Sequence, residues 1–324
     1  MSQPPISIGL SAAIVSVEKE NPCALVVTQE DGEDALPFGP FDPESQRTLE
    51  QGLRKWVGEQ TRFDLGYTEQ LYTFGDRGRH LPSPGPGNAD GTRVVSVGYL
   101  ALTRQSEDDA SEGKRETRWR GWYHYFPWED WRGPKPQMID SVILPKLKAF
   151  VKGAANPQGA DLRRDRVRLC FGADGVAWDE EKVLERYELL YEAGLVEEAS
   201  RDTAKSGTRP DPAGMLGAAM VYDHRRILAT AIARLRGKMK YRPVVFELMA
   251  PSFTLLELQR TVEALLGLRL HKQNFRRLVA EQGLVEGMGK FTASTRGRPA
   301  ELFRFRREVL RERPAPGLRL GARR

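Results

Sequence analysis

The sequence predicts a mixed α/β module followed by a smaller module of helices and a β-hairpin. Two observations carry that prediction. The first is periodicity: alternating β-rich runs and one amphipathic helix fill the N-terminal third, whereas two short helices and a Gly/Arg-containing hairpin fill the C-terminal part. The second is charge. Residues 241–324 hold 17 Lys+Arg against 8 Asp+Glu, a net of +9 in a chain whose total is +6, so residues 1–240 sum to about −3. One end is suited to a polyanion and the other is not, a split that favours a regulator with a separate sensing part over a single-purpose enzyme.

At 324 residues the chain suits two or three domains, and 40% hydrophobic with 29% charged residues is ordinary for a globular protein. The absence of a run of 18 apolar residues argues against a membrane span, and MSQPPISIGL lacks a basic region followed by an apolar stretch, so no secretory signal is expected. Cys23 and Cys170 sit in apolar, strand-like surroundings and read as packed thiols, which points to the cytoplasm. The scattered histidines give no zinc-ligand spacing.

In order along the chain, ISIGLSAAIVSV at 6–17 and CALVVT at 23–28 read as strands parted by a turn at Asn21-Pro22, and LPFGPFDP ends the unit. From Pro43 to Gln60 the period becomes helical, with Leu49, Leu53, Trp56 and Val57 on one stripe. Strands resume at 67–74 and 93–103, around a Gly/Pro-rich loop expected to be mobile. Residues 105–118 read as a polar surface loop. RWRGWYHYFPWEDW then places four of the six tryptophans within 13 positions. Helices are expected at about 140–152 and 179–194, a strand at 166–171, a flexible excursion at 200–214, and a helix at 221–240 with Ile227, Ala231, Leu235 and Met239 on one face. The basic tail 314–324 is expected to be disordered.

The C-terminal module carries the clearest chemistry. Thr254 followed three residues later by Glu257 is a capping box, and Gly267 suits a left-handed helix end. A second helix spans about His271–Gln282. Phe275, Leu278 and Val279 face its core side, Gln273, Arg276 and Arg277 point away, and Lys272 and Asn274 lie at the edges near its N-terminus. That layout is what a recognition helix needs: apolar anchors beneath, and Arg and Gln reaching base edges in the major groove. KFTASTRGRP, a hairpin tip before AELFRFR, reads as a wing whose Arg296 and Arg298 are candidate phosphate or minor-groove contacts. The module is therefore read as a winged helix-turn-helix that binds double-stranded DNA.

The order strand, strand, Gly-Pro loop, helix, strands resembles the Nudix α/β/α sandwich. That family holds Mg²⁺ on the carboxylates of one helix. Aligned on Arg54, this chain has Lys55 and Gly58 where the family has carboxylates; Glu59 survives, Thr61 replaces a Gly, Gln46 replaces an upstream Glu and the upstream Gly is shifted to Gly39. The resemblance therefore implies a pocket without hydrolysis and no required cofactor or metal. YTEQLYTFGD at 67–76, RVVSVGYLAL at 93–102, the segment 223–249, FTLLELQRTVEALLG at 253–267, HKQNFRRL at 271–278 and GRPAELFRF at 297–305 are similar to the Nudix-related transcriptional regulators of NAD metabolism.

That resemblance implies a homodimer on a palindromic operator near NAD biosynthesis or salvage genes, with ADP-ribose or a related NAD-derived nucleotide as effector. It divides the chain into a Nudix-like effector domain at 1–220, with 105–217 as an insert, a linker helix at 221–240, a winged helix at 241–313 and the tail. FPWEDW at 126–131 looks like a variant found in longer relatives, and His271 stands where the family favours Asp. Candidate effector contacts are Arg54, Glu59, Tyr72, Phe74 and Asp76. Trp122, Tyr125, Trp128 and Trp131 either staple the insert to the sheet, the favoured reading, or stack on a nucleotide ring as a lid; Glu129 and Asp130 are expected to be solvated or capping. The rival reading is an active Nudix-type pyrophosphohydrolase with an appended nucleic-acid module, needing Glu59 plus acids from the insert to bind Mg²⁺. A third is a co-regulator acting through protein contacts.

Overall fold

A computed structural model describes residues 6–30, 32–61, 65–76, 93–104, 117–203, 216–292 and 299–318. The N-terminal part is a mixed sheet. Strand β1 (Ile6–Glu18) runs parallel to β6 (Arg93–Leu102) from Ile6↔Arg93 to Val15↔Leu102 and turns antiparallel into β2 (Asn21–Thr28). The order is β3 (Asp34–Ala35), β2, β1, β6, β5 (Tyr67–Phe74), with β4 (Phe38–Pro40) on β1 and β7 (Thr117–Gly121) on β2. The tight β1–β2 turn places Lys19 and Glu20 at positive φ.

The period of two sorts β1 between two cores. Leu10, Ala12 and Ile14 join Leu53 and Val57 of α1 (Leu49–Thr61) on one face. Ala13 and Val15 face the other way, into a cluster that continues through residues 122–199 and 216–284 to Leu318. The result is an α/β/α sandwich. The helix α1 approaches closely because of two glycines: a side chain at Gly39 would lie 2.2 Å from the Trp56 ring, and one at Gly52 2.3 Å from Gln46 Oε1.

The insert is helical: a π-turn at Ile139–Ile143 leading into α2 (Leu144–Lys152), then α3 (Pro157–Phe171), α4 (Val183–Glu192) and α5 (Glu197–Thr203). Four expectations are corrected here. Residues 166–171 form the end of α3, not a strand: Asn156 caps Gly159 N–H, Pro157 begins the helix and Gly172 ends it at φ 61°. Cys170 is accordingly helical, and burial pushes its thiol pKa up, as it pushes Cys23 up to about 11. Thr117 and Arg118 belong to β7 rather than to a polar loop, because β2 offers them an open edge. Residues 200–203 close α5. The rest of that excursion, the Gly/Pro-rich loop from residue 77 to 92 and residues 105–116 lie outside the described residues.

The expected linker helix is α6 (His224–Met239), buried along most of its length, Arg225 and Arg236 included, with Ile227, Ala231, Leu235 and Met239 all at 0% exposure. It leads through a 3₁₀ turn at Val244–Leu248 to α7 (Leu255–Leu266), α8 (Lys272–Gln282), β8 (Val285–Phe291), β9 (Glu301–Phe305) and α9 (Val309–Glu312). The tail expected to be disordered is docked over residues 314–318. Leu318 is fully buried and its N–H donates to Met239 O at 2.9 Å, and any side chain at Gly317 would collide with the Lys240–Tyr241 peptide. Apolar burial at the end of α6 outweighs the segment's Pro/Gly-rich, basic composition. No helix among the described residues is long and apolar enough to cross a membrane.

Candidate nucleic-acid interface and effector cleft

The C-terminal module is a winged helix. Thr254 Oγ1 accepts from Glu257 N–H at 3.2 Å while Glu257 accepts from Thr254 N–H at 2.7 Å, so the capping box fixes the start of α7. Gly267 and Gly283 end α7 and α8 at φ 71° and 54°. Strands β8 and β9 pair antiparallel from Val285↔Phe305 to Phe291↔Glu301, with a register break over Gly287–Phe291 where Gly289 takes φ 64°. Phe253 adds a third rung by exchanging hydrogen bonds with Phe303 at 3.0 and 2.8 Å.

On α8, Phe275 and Val279 are buried and Leu278 is partly so, while Lys272, Gln273, Asn274, Arg276 and Arg277 are exposed. The five candidates on this helix thus share one solvent face over an apolar anchor. Arg277 makes an exposed i,i+4 pair with Glu281 at 3.2 Å, a contact weak enough for a phosphate to displace. Arg296 and Arg298 lie outside the described residues.

The five candidate effector residues are not gathered in one place; the sheet separates them. Arg54 and Glu59 stand on α1. Arg54 is tied to Glu50 at 2.9 Å, Thr68 at 3.2 Å and the Leu65 carbonyl, and Glu59 is exposed. Phe74 packs in the core on the opposite face. Asp76 pairs with Arg226 of α6 at 2.5 Å, and Tyr72 lies beside Arg234 of α6, 5.7 Å from ring centre to guanidinium.

A cleft of about 350 Å³ opens between α1 and β5, lined by Thr48, Leu49, Glu50, Thr68, Glu69, Gln70 and Tyr99. Strand β5 forms its wall through Thr68 and Gln70, which bond to Glu50 at 3.0 Å and to Tyr99 Oη at 3.4 Å. From the same strand Glu69 turns to α6, meeting Arg234 at 3.0 Å and Lys238 at 2.5 Å. Burial opposes ionisation of Glu69, but hydrogen bonds from Lys238 and Tyr67 outweigh it and hold the carboxyl below its ordinary value.

The aromatic cluster is a staple, not a lid: Trp122, Tyr125, Phe126 and Trp128 are all fully buried. Trp131 packs on Trp178 with ring centres 4.4 Å apart. Asp34 accepts from Tyr125 at 2.6 Å and Arg118 at 2.7 Å; these bonds overcome the cost of burial and lower its pKa. The expectation of a solvated Glu129 is corrected: it is 1% exposed and pairs with Arg186 at 2.6 Å and Arg236 at 2.8 Å. Asp130 pairs with Arg132 at 2.8 Å. Glu198 likewise meets Arg225 in the interior at 3.2 Å.

Glu69, Arg186, Glu198, Arg225 and Arg236 belong to no site that the sequence predicts, and Glu129 is expected from it only as solvated or capping. One signal was available: Arg225, Ile232 and Arg236 fall in helical register on α6, so arginines occupy positions of an apolar stripe and require buried carboxylates. Among the described residues, no three His, Cys, Asp or Glu side chains gather as a metal site.

Fold and interface together define a Nudix-like α/β/α sandwich joined to a DNA-binding type of winged helix. Residues 245–305 match the NrtR DNA-binding winged helix domain family. The chain is similar to the ADPR responsive transcriptional repressor NtrR of Acinetobacter baylyi, 42% identical over 86 residues; these are 26% of this chain and 34% of that protein, so the match spans about a third of the relative. Its fold is that of Shewanella oneidensis NrtR, solved in complex with a 27mer DNA, at a TM-score of 0.52 and 19% identity, covering 93% of this chain and 94% of that one. A MutT/nudix family protein from Enterococcus faecalis matches at a TM-score of 0.50 and 15% identity, over 94% and 88%.

Proposed function

We propose that the protein is a transcriptional regulator of NAD biosynthesis or salvage genes that senses ADP-ribose or a related NAD-derived nucleotide. The observation that carries the reading is α8, where a polar, cationic face is fully presented to solvent over buried Phe275 and Val279. The names of the relatives support it, one an ADPR responsive repressor and one crystallised on DNA. A homodimer would set two such helices in successive major grooves of a palindromic operator, about one helical turn apart. Arg276, Arg277, Gln273 and Asn274 read bases, and Lys272, Arg296 and Arg298 hold phosphates.

The effector enters the cleft between α1 and β5, and Arg54, bonded to the lining residues Glu50 and Thr68, turns from them to take the diphosphate charge. Movement of β5 then reaches α6 through Glu69, Arg234 and Lys238, and the ligand shifts DNA affinity by its preference for one setting of α6. The sensor does not hydrolyse its ligand. Lys55 and Gly58 support this reading, as does Gln46, whose buried amide accepts from Asp42 N–H at 3.0 Å and so serves a turn.

Titration of the protein on its own promoter DNA, with and without ADP-ribose, tests the proposal. Tight, salt-sensitive binding that ADP-ribose changes supports it, and no retardation at low salt overturns it. Multiple turnover of ADP-ribose with Mg²⁺ or Mn²⁺, abolished by Glu59→Gln, would replace the sensor with a hydrolase.

A further inference from the structure

Neither base contact nor effector binding uses FPWEDW at 126–131, yet this segment sits at the root of the winged helix. A helix ends with carbonyls that have no partner within it. In α7 those carbonyls are taken up by other parts of the chain. Ala264 O accepts from Tyr123 Oη at 2.7 Å, Leu265 O from Arg236 Nε at 2.9 Å, and Gly267 O from Trp131 N–H at 2.7 Å. The fit is close: a side chain at Gly267 would lie 2.3 Å from Glu129 O. Two of these donors come from the insert and one from the linker helix, and the turn they grip leads directly into α8.

The grip is electrostatic at its centre. Glu129 holds Arg236 through Oε2 at 2.8 Å and Arg186 through Oε1 at 2.6 Å and Oε2 at 2.9 Å, all three side chains at or below 1% exposure. One carboxylate thus serves two guanidiniums. The excess positive charge is met by carbonyl oxygens: Leu265 O at the negative end of the α7 dipole and Glu180 O for Arg236, and Cys170 O and Asp179 O for Arg186. Arg186 also lies 3.8 Å over the Trp178 ring.

We infer that Glu129 is a positioning residue for DNA recognition, seating Arg236 under the C-terminal turn of α7 so that the insert, and not the linker helix alone, sets the orientation of α8. The insert is then a splint that moves with the winged helix. The inference deepens the proposed function; its first test is independent of DNA.

Hydrogen exchange of the full chain, wild type against Glu129→Gln, is the first measurement. The expected result is exchange at least ~tenfold faster over 255–282 with the β1 and β6 amides unchanged, because the joint opens without global unfolding. Uniform acceleration, or none, overturns the inference. Should Glu129→Gln fail to fold, Tyr123→Phe removes one bond of the same socket without unpairing a buried charge, and a smaller acceleration confined to 255–282 is expected.

The second measurement compares promoter DNA with random duplex at equal salt. Positioning predicts at least ~tenfold weaker promoter binding with random-duplex binding unchanged, since phosphate attraction needs only the charges. A proportional loss on both DNAs marks a merely structural role and overturns the inference. If the wild type itself shows no preference for promoter DNA, the DNA reading fails, and the exchange measurement still decides whether Glu129 holds the joint.

Discussion

The linker helix α6 is gripped on two sides by the same pair of chemistries in opposite surroundings. Toward the sandwich, Arg226, Arg234 and Lys238 meet Asp76 and Glu69, with side chains 15–56% exposed. Toward the insert, Arg225 and Arg236 meet Glu198 and Glu129 at 0–2% exposure. Water reaches the first set in part, so its pairs are weaker and more readily exchanged than those of the second. The second set is desolvated, and breaking a pair strands a charge in the interior. The difference teaches which side can switch: the sheet side is suited to be rearranged by a ligand, and the insert side is suited to hold still.

The comparison breaks most directly at Glu198. Glu198→Gln removes the carboxylate from the fully buried Arg225, which keeps neutral acceptors such as the Tyr125 and Leu216 carbonyls at 2.5 and 2.6 Å, and the expected loss is about 3–5 kcal/mol in chemical denaturation. Equal stability to wild type would show that burial does not separate the two sides. Leu318→Ala, which empties a fully buried site beside Met239, should cost about 2–4 kcal/mol by the same assay; no change would return residues 314–318 to a loose tail.

Arg276→Ala with Arg277→Ala should weaken promoter binding by about 2–4 kcal/mol in fluorescence anisotropy and flatten its salt dependence. Melting should stay within about 0.5 kcal/mol of wild type, because both side chains are exposed. Unchanged affinity removes α8 as the recognition helix. Glu69→Gln should cost only about 1 kcal/mol of stability while abolishing the response of DNA binding to ADP-ribose; an intact response moves the signal elsewhere.

The smallest expected effect is acid sensitivity. Asp34, Glu69 and Glu263 all have lowered pKa values: burial opposes ionisation in each, and hydrogen bonds from Tyr125 and Arg118, from Lys238 and Tyr67, and from Arg269 and Leu270 N–H overcome it. Depressed folded values mean that the stabilisation is complete above the ordinary values of 3.8–4.5 and is lost as pH falls through the folded ones. Melting temperature should therefore be flat from neutrality down to about pH 5 and decline below it. A decline beginning near neutrality would assign acid sensitivity to other groups.

In the winged helix, the features legible in the sequence are those whose physics is local. The Thr254/Glu257 box, the Gly267 and Gly283 helix ends, and the split of Phe275 and Val279 from Arg276 and Arg277 depend on neighbours within a few residues. Residues 166–171 read as a strand because RVRLCF alternates, whereas the signals that make them helical, Asn156-Pro157 and Gly172, flank that window. The effector candidates come from two elements that are close in sequence but lie on opposite sides of the sheet: Arg54 and Glu59 stand on α1, whereas Tyr72, Phe74 and Asp76 turn toward α6.

By itself the sequence determined a cationic winged helix behind an α/β sandwich, because charge and period are properties of the chain. Only the tertiary structure decided the fate of Glu129, Arg186, Arg225, Arg236 and Leu318. A charge becomes a buried partner, and a tail becomes core, only when segments distant in sequence close around them. That closure depends on desolvation summed over several elements at once, which no window of residues contains.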